Sequence, residues 1–133
     1  KKIRVMALVD TLEYLKKGGR ISATVAIAGS LLSIKPVIAI EDGAVAMVGK
    51  ARGSRQGNNL LRQLIEKCGG INFTMPFCLA YSGLSDALLQ KYIADSAQLW
   101  QGNAEKLPVR VVGSVVGTHV GPGAVAVAFF AAE

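Results

Sequence analysis

The chain has 133 residues, 51% of them hydrophobic and 18% charged, and a formal net charge of +6 from 15 Lys and Arg against 9 Asp and Glu. That length and apolar share suit one domain with a real core, and a mean hydropathy of +0.39 implies a face covered by another domain, a second copy or an apolar ligand. The basic balance admits nucleic acid, an anionic membrane or an acidic protein and selects none of them, while Cys68, Cys78 and a single histidine argue against both a disulfide scaffold and a structural zinc site.

The chain opens Lys1-Lys2-Ile3 without Met and reads as a piece of a longer protein, with no signal peptide. Ile3–Val9 is expected as a strand. Asp10-Thr-Leu-Glu13 has the form of a capping box that opens a helix, which Gly18-Gly19 then stops. Ala23–Leu32 reads as a small-residue helix. The span Ile21–Ile40 has the length of a membrane helix, but Lys35-Pro36 and several serines interrupt it, so it is read as a buried helix followed by a strand. Pro36–Glu41 and Ala44–Gly49 flank Asp42-Gly43, a strong hairpin signal. Ser54–Cys68 carries a helical stripe of Leu60, Leu61, Leu64, Ile65 and Cys68, closed by Gly69-Gly70. Phe73–Tyr81 is expected as a strand, and Leu84–Trp100 as an amphipathic helix with Leu84, Leu88 and Tyr92 one turn apart. Val109–Val116 and Val125–Phe130 are the last predicted strands. The order β-α-α-β-β-α-β-α-β-β predicts an α/β fold of α+β character, a mostly antiparallel or mixed sheet packed with helices, in a single domain over residues 1–133. Cys68 and Cys78 are expected as free, half-buried thiols, Trp100 as core, and Met47 and Met75 as gap fillers.

Little of this carries reaction chemistry. Gly43–Lys50 ends in Gly-Lys but has five residues between its glycines, and Ala51 stands where a phosphate loop needs a hydroxyl. Ser114 lies near His119 without a G-x-S-x-G elbow. Glu13, Glu66, Asp86 and Asp95 are scattered over solvent-facing helix positions. Two features remain. His119, the one histidine, sits in a glycine-rich loop with Gly117, Gly121 and Gly123, and Arg20 follows a glycine pair. Each is open to two readings: a group that bonds locally to backbone or acid, or a group offered to an anionic ligand. Lys50, Arg52 and Arg55 place three cations between hairpin and helix, as solvated loop or as partner-docking surface.

Taken together, Leu12-Glu-Tyr-Leu-Lys-Lys-Gly-Gly-Arg-Ile-Ser22, Gly29-Ser-Leu-Leu-Ser-Ile-Lys-Pro-Val37, Glu41-Asp-Gly43 and Gly117-Thr-His-Val-Gly-Pro-Gly-Ala124 resemble the DegV family of bacterial fatty-acid-binding proteins, over essentially the whole chain. The resemblance is to the C-terminal half of that family, and implies that the family's N-terminal domain is absent here. It implies a lipid-binding module, not an enzyme, with no cofactor and no metal, in the cytoplasm. A long-chain fatty acid would be the ligand. Arg20, His119 and Gly121 would meet the carboxylate, while Ile21, Ile27 and Leu31 would wall the acyl chain, a role that ordinary core packing explains as well. The resemblance implies a fatty acid kinase as partner, with Lys50, Arg52 and Arg55 as docking residues, although Gly53 and Gly57 interrupt the basic stretch. Transient contact with an anionic membrane and no binding of nucleic acid complete the expectation. From the residues alone two other classes stay open: a His119-dependent enzyme on a small acyl or phosphoryl substrate, and a basic regulatory or nucleic-acid-binding module.

Overall fold

The structure, a computed structural model, describes residues 3–11, 17, 19, 34–41, 43–83, 85–100, 107–111 and 123–132. Among these lie the strands β1 (Ile3–Leu8), β2 (Ile34–Glu41), β3 (Ala44–Arg52), β4 (Cys78–Tyr81), β5 (Val109–Val111) and β6 (Val125–Phe130). Two helices, α1 (Gly53–Lys67) and α2 (Ala87–Asp95), follow β3 and β4, and a 3-10 turn spans Ala97–Trp100. The strands form one sheet in the order β3-β2-β1-β6-β4-β5, antiparallel throughout except for the parallel pair β4–β5. The sheet is therefore mixed, with helices packed on it, as the sequence predicts.

Alternation along the strands sorts side chains onto two faces. Met6, Leu8, Val37, Leu79, Val127 and Phe129 meet Leu61 and Ile65 of α1, and Leu89, Tyr92 and Trp100, in the main core. Ala7, Val9, Ile38 and Ala124 form a second buried cluster on the opposite face, flanked by Val45, Met47 and Ala126. Gly57 permits the close seating of α1, since a Cβ there would meet Leu8 Cδ1 at 2.9 Å. Tyr92 and Trp100 meet edge to face at 5.9 Å, and the Trp100 indole donates to the Ile93 carbonyl at 3.0 Å, so this bulky pair is buried without an orphaned indole N–H. Burial also pushes the Tyr92 phenol far above its ordinary pKa, so it stays neutral.

Glycine sets the local boundaries. Gly43 closes the β2–β3 hairpin at φ 79°, with Glu41 paired to Ala44. Gly69 and Gly70, at φ 95° and 84°, end α1, their amides donating to Glu66 and Ile65. Both strands of the hairpin run longer than predicted, β1 ends one residue early, and α1 lies one residue earlier at both ends. Cys68 and Cys78 are free and half-buried, as expected.

Two predicted elements are corrected. The strand expected over Phe73–Tyr81 is only Cys78–Tyr81, because Asn72 folds the chain first: its side-chain oxygen accepts from the Thr74 amide at 3.0 Å and hydroxyl at 2.6 Å. Phe73 then stacks edge-on to Phe77 at 5.1 Å instead of lying extended. The helix expected over Leu84–Trp100 is one short helix and a 3-10 turn, divided at Ser96, whose amide donates to both Tyr92 and Ile93. Its buried face is Leu89 and Tyr92, whereas Leu88 is 45% exposed. The expected helices over 12–17 and Ala23–Leu32 and the end of the strand beyond Val111 lie outside the described residues, apart from Lys17, which is helical, and Gly19, at φ 73°.

Candidate functional site

One end of the sheet gathers most of what the sequence singles out. β1 finishes there, β2 starts there, and Leu8 pairs with Val37 on one side and Val125 on the other. β4 and β5 also end there, with Tyr81 opposite both Val125 and Val111. The segment between β1 and β2, which carries Arg20, Ile21, Ile27 and Leu31, thus leaves and rejoins the sheet at the end where the β5–β6 segment carrying His119 and Gly121 does. Those six residues themselves lie outside the described residues. What is described is the ground on which both segments stand.

The exit of the histidine segment is fastened to β4. Gly123 turns at φ 83°, and its amide donates to the Ser82 carbonyl at 3.3 Å. The Ala124 amide donates to Ser82 Oγ at 2.9 Å, and the Ser82 amide donates back to the Ala124 carbonyl at 3.2 Å. Ser82 is buried, so removing its hydroxyl would strand the Ala124 amide at a cost of about 1–3 kcal/mol. A side chain at Gly123 would stand 3.7 Å from both Asp10 Cβ and Leu88 Cδ1, which places the end of the motif over the tip of β1 and the start of α2.

The other segment is closed by an ion pair. Lys35 donates its ammonium to Asp10 Oδ1, and the Val9 amide donates to the Pro36 carbonyl at 3.0 Å. Beside this pair, a small recess is lined by apolar Leu8, Val9, Leu88 and Val125 and by polar Lys35, Ser54, Asn58 and Lys91, with Gly123 at its edge. Asn58, itself buried on α1, donates to the Asp95 carboxylate of α2 at 3.0 Å, and Lys91 stands 3.6 Å from the same carboxylate. The Asn58 bond chiefly, with help from Lys91 and Arg55, holds the Asp95 carboxyl below its usual pKa. Asp95 is thus a tie between helices and not merely a solvated acid, whereas Glu66 is exposed and bonded to Arg62 at 2.8 Å.

Lys50, Arg52 and Arg55 are exposed at this same end, on the last turn of β3 and the first turn of α1. Gly53, at φ 80°, makes the corner between strand and helix, so it serves the turn on which the cations are displayed. The first turn of α1 carries no acidic residue and no side-chain cap, so nothing within the helix itself offsets its positive dipole end. An apolar floor, ammonium groups and a helix N-terminus together suit an amphiphilic anion. Among the described residues no group of three or more His, Cys, Asp or Glu is placed to hold a metal, and no helix is long and apolar enough to cross a membrane. Sequence reasoning missed Ser82, the Asp10–Lys35 pair, and the Asn58–Asp95–Lys91 cluster. The Ser82-Gly83 pair after a strand and the Lys35-Pro36 pair before one were their only local signals.

Comparison with known proteins bears on the family and the fold. The model of the DegV family, described as uncharacterised proteins, matches residues 1–132. A DegV domain-containing protein of Clostridium perfringens is 36% identical over 127 residues, 91% of this chain and 41% of that protein. A fatty acid binding DegV family protein from Streptococcus agalactiae superimposes with a TM-score of 0.72 at 28% identity, over 95% of this chain and 44% of that one. The fatty acid kinase B3 protein of Streptococcus pneumoniae, solved loaded with linoleic acid, shares the fold with a TM-score of 0.77 at 16% identity, over 98% of this chain and 45% of that one. The chain spans less than half the length of each of these relatives.

Proposed function

The chain belongs to the DegV family, and we propose that it is the part of a fatty-acid-binding protein that takes up a long acyl chain and holds its carboxylate at the end of the sheet where β1, β2, β5 and β6 meet. The carrying observation is the shared origin of two segments: the one with Arg20 and the one with His119 both spring from that end, around Ser82 and Gly123. Fatty acid binding by the Streptococcus agalactiae relative supports the ligand class.

The energetics suit the role. Each buried methylene contributes about 0.8 kcal/mol, so the acyl chain drives binding. A buried carboxylate left without donors costs several kcal/mol, so the site needs cationic and N–H groups; Arg20 and His119 are those the motifs offer. In this reading Gly121 leaves room for the head group, and Ile21, Ile27 and Leu31 line the chain. The protein is a carrier and not itself a catalyst. It presents the acid to a fatty acid kinase through Lys50, Arg52 and Arg55, a reading that rests on their exposure at the end of the sheet assigned to the carboxylate.

Native mass spectrometry of the full-length protein after exposure to oleic acid tests the proposal. We expect one bound acid, with His119→Ala and Arg20→Ala each weakening retention by about tenfold, the loss of one charge-assisted contact, without unfolding the protein. Absence of bound acid overturns it. Turnover of an acyl ester, abolished by His119→Ala, makes the protein an enzyme instead.

A further inference from the structure

We propose that Lys35 is a carboxylate-binding residue that exchanges partners, leaving Asp10 for the head group of the incoming acid. The inference rests on the fatty-acid reading above and assigns to Lys35 a role that neither motif supplies. Three observations carry it. Lys35 lines the recess whose floor is Leu8, Val9, Leu88 and Val125, and its described lining holds two ammonium groups and no carboxylate. The carboxylate that occupies Lys35 comes instead from Asp10, which is 56% exposed, while Lys35 is 24% exposed. Asp10 also lies beside Gly123, so the pair sits where the histidine segment rejoins the sheet.

An ammonium about three-quarters withdrawn from water over an apolar floor, paired among the described residues with an exposed carboxylate, is poised for substitution. An exposed ion pair contributes little by itself, because water and salt compete for both partners. A fatty acid brings an equivalent carboxylate together with an alkyl chain whose burial Asp10 cannot match. The exchange conserves charge at Lys35 and releases Asp10 to solvent.

In the exchange Asp10 is a competitor and Lys35 a ligand, so their substitutions act in opposite directions. Binding of oleic acid and of oleyl alcohol to the full-length protein is measured by titration for the wild type, Lys35→Gln, Asp10→Asn and, as a control at the far end of α1, Lys67→Gln. We expect Lys35→Gln to weaken oleic acid by about tenfold and leave oleyl alcohol within about twofold, the signature of a lost charge-assisted contact. Asp10→Asn should tighten oleic acid by about threefold or more, as removal of a modest competitor requires, and Lys67→Gln should change neither ligand. Thermal unfolding of each variant confirms that it folds. If both substitutions at the pair weaken the acid, or if Lys35→Gln weakens acid and alcohol alike, the pair is a structural staple and the exchange is overturned. If the wild type binds neither ligand, the fatty-acid reading itself fails, and the exchange with it; the wild-type titration thus separates the two failures.

Discussion

Asp95 shows how one polar contact can define a residue that the sequence leaves anonymous. Its carboxylate accepts from buried Asn58 at 3.0 Å and faces Lys91 at 3.6 Å, joining α1 to α2 beneath the recess. Asn58 is 3% exposed, and an amide buried to that degree needs its partner. The bond favours the ionised carboxyl and lowers its pKa on folding. A depressed folded-state pKa adds stability that is fully present above the unfolded value, about 3.9 for aspartate, and is lost as pH falls through the lower folded value. Urea unfolding of the wild type should therefore show falling stability as pH drops below about 4, and Asp95→Asn should flatten that acid limb. An unchanged limb in the variant would assign the acid sensitivity to other carboxylates.

At the level of elements, α2 buries Tyr92 as its sequence reading has it but seats Leu89 beside it in place of Leu88, with consequences for stability. Leu89 is fully buried against the sheet, while Leu88 is 45% exposed at the recess. Leu89→Ala should cost about 2–5 kcal/mol, and Leu88→Ala less than about 0.5 kcal/mol, by chemical denaturation. Equal losses would mean that Leu88 is buried as deeply as Leu89. The helix expected over Leu84–Trp100 was misread because an apolar stripe is equally consistent with Leu88 or Leu89 inside, and the break at Ser96 depends on how Trp100 packs onto Tyr92. Elements whose limits are written in backbone requirements were legible: Gly43 at the hairpin and Gly69-Gly70 after α1 sit at positive φ, which the residue type announces. The site was legible only in part. Lys50, Arg52 and Arg55 are neighbours in sequence and stay neighbours in the fold. The partners of Lys35, Asn58 and Ala124 stand 25, 37 and 42 residues away, and only the strand order β2-β1-β6-β4 brings them together.

Across the whole molecule, charge and site coincide. Of the described cations, Lys35, Lys50, Arg52, Arg55 and Lys91 lie at the end of the sheet that bears the recess, where Asp10 and Asp95 face Lys35 and Lys91 and leave Lys50, Arg52 and Arg55 as the excess at the rim. In the proposed reading a kinase acting on the bound carboxylate approaches that end, and exposed cations at the rim raise the rate of encounter with an acidic partner more than they raise the final affinity. Neutralising Lys50, Arg52 and Arg55 together to Gln removes three positive charges from the rim without touching the lining of the recess. The association rate with the kinase should fall by about tenfold at low ionic strength and converge on the wild-type rate near 0.5 M salt, where the screening length is only about 4 Å. Fatty acid retention, read by native mass spectrometry on the same variant, should stay unchanged, because the proposed reading assigns acid binding and kinase docking to different groups. A rate that is unaffected at low salt would move the docking surface away from this end of the sheet, and a parallel loss of fatty acid would place the three cations inside the binding site.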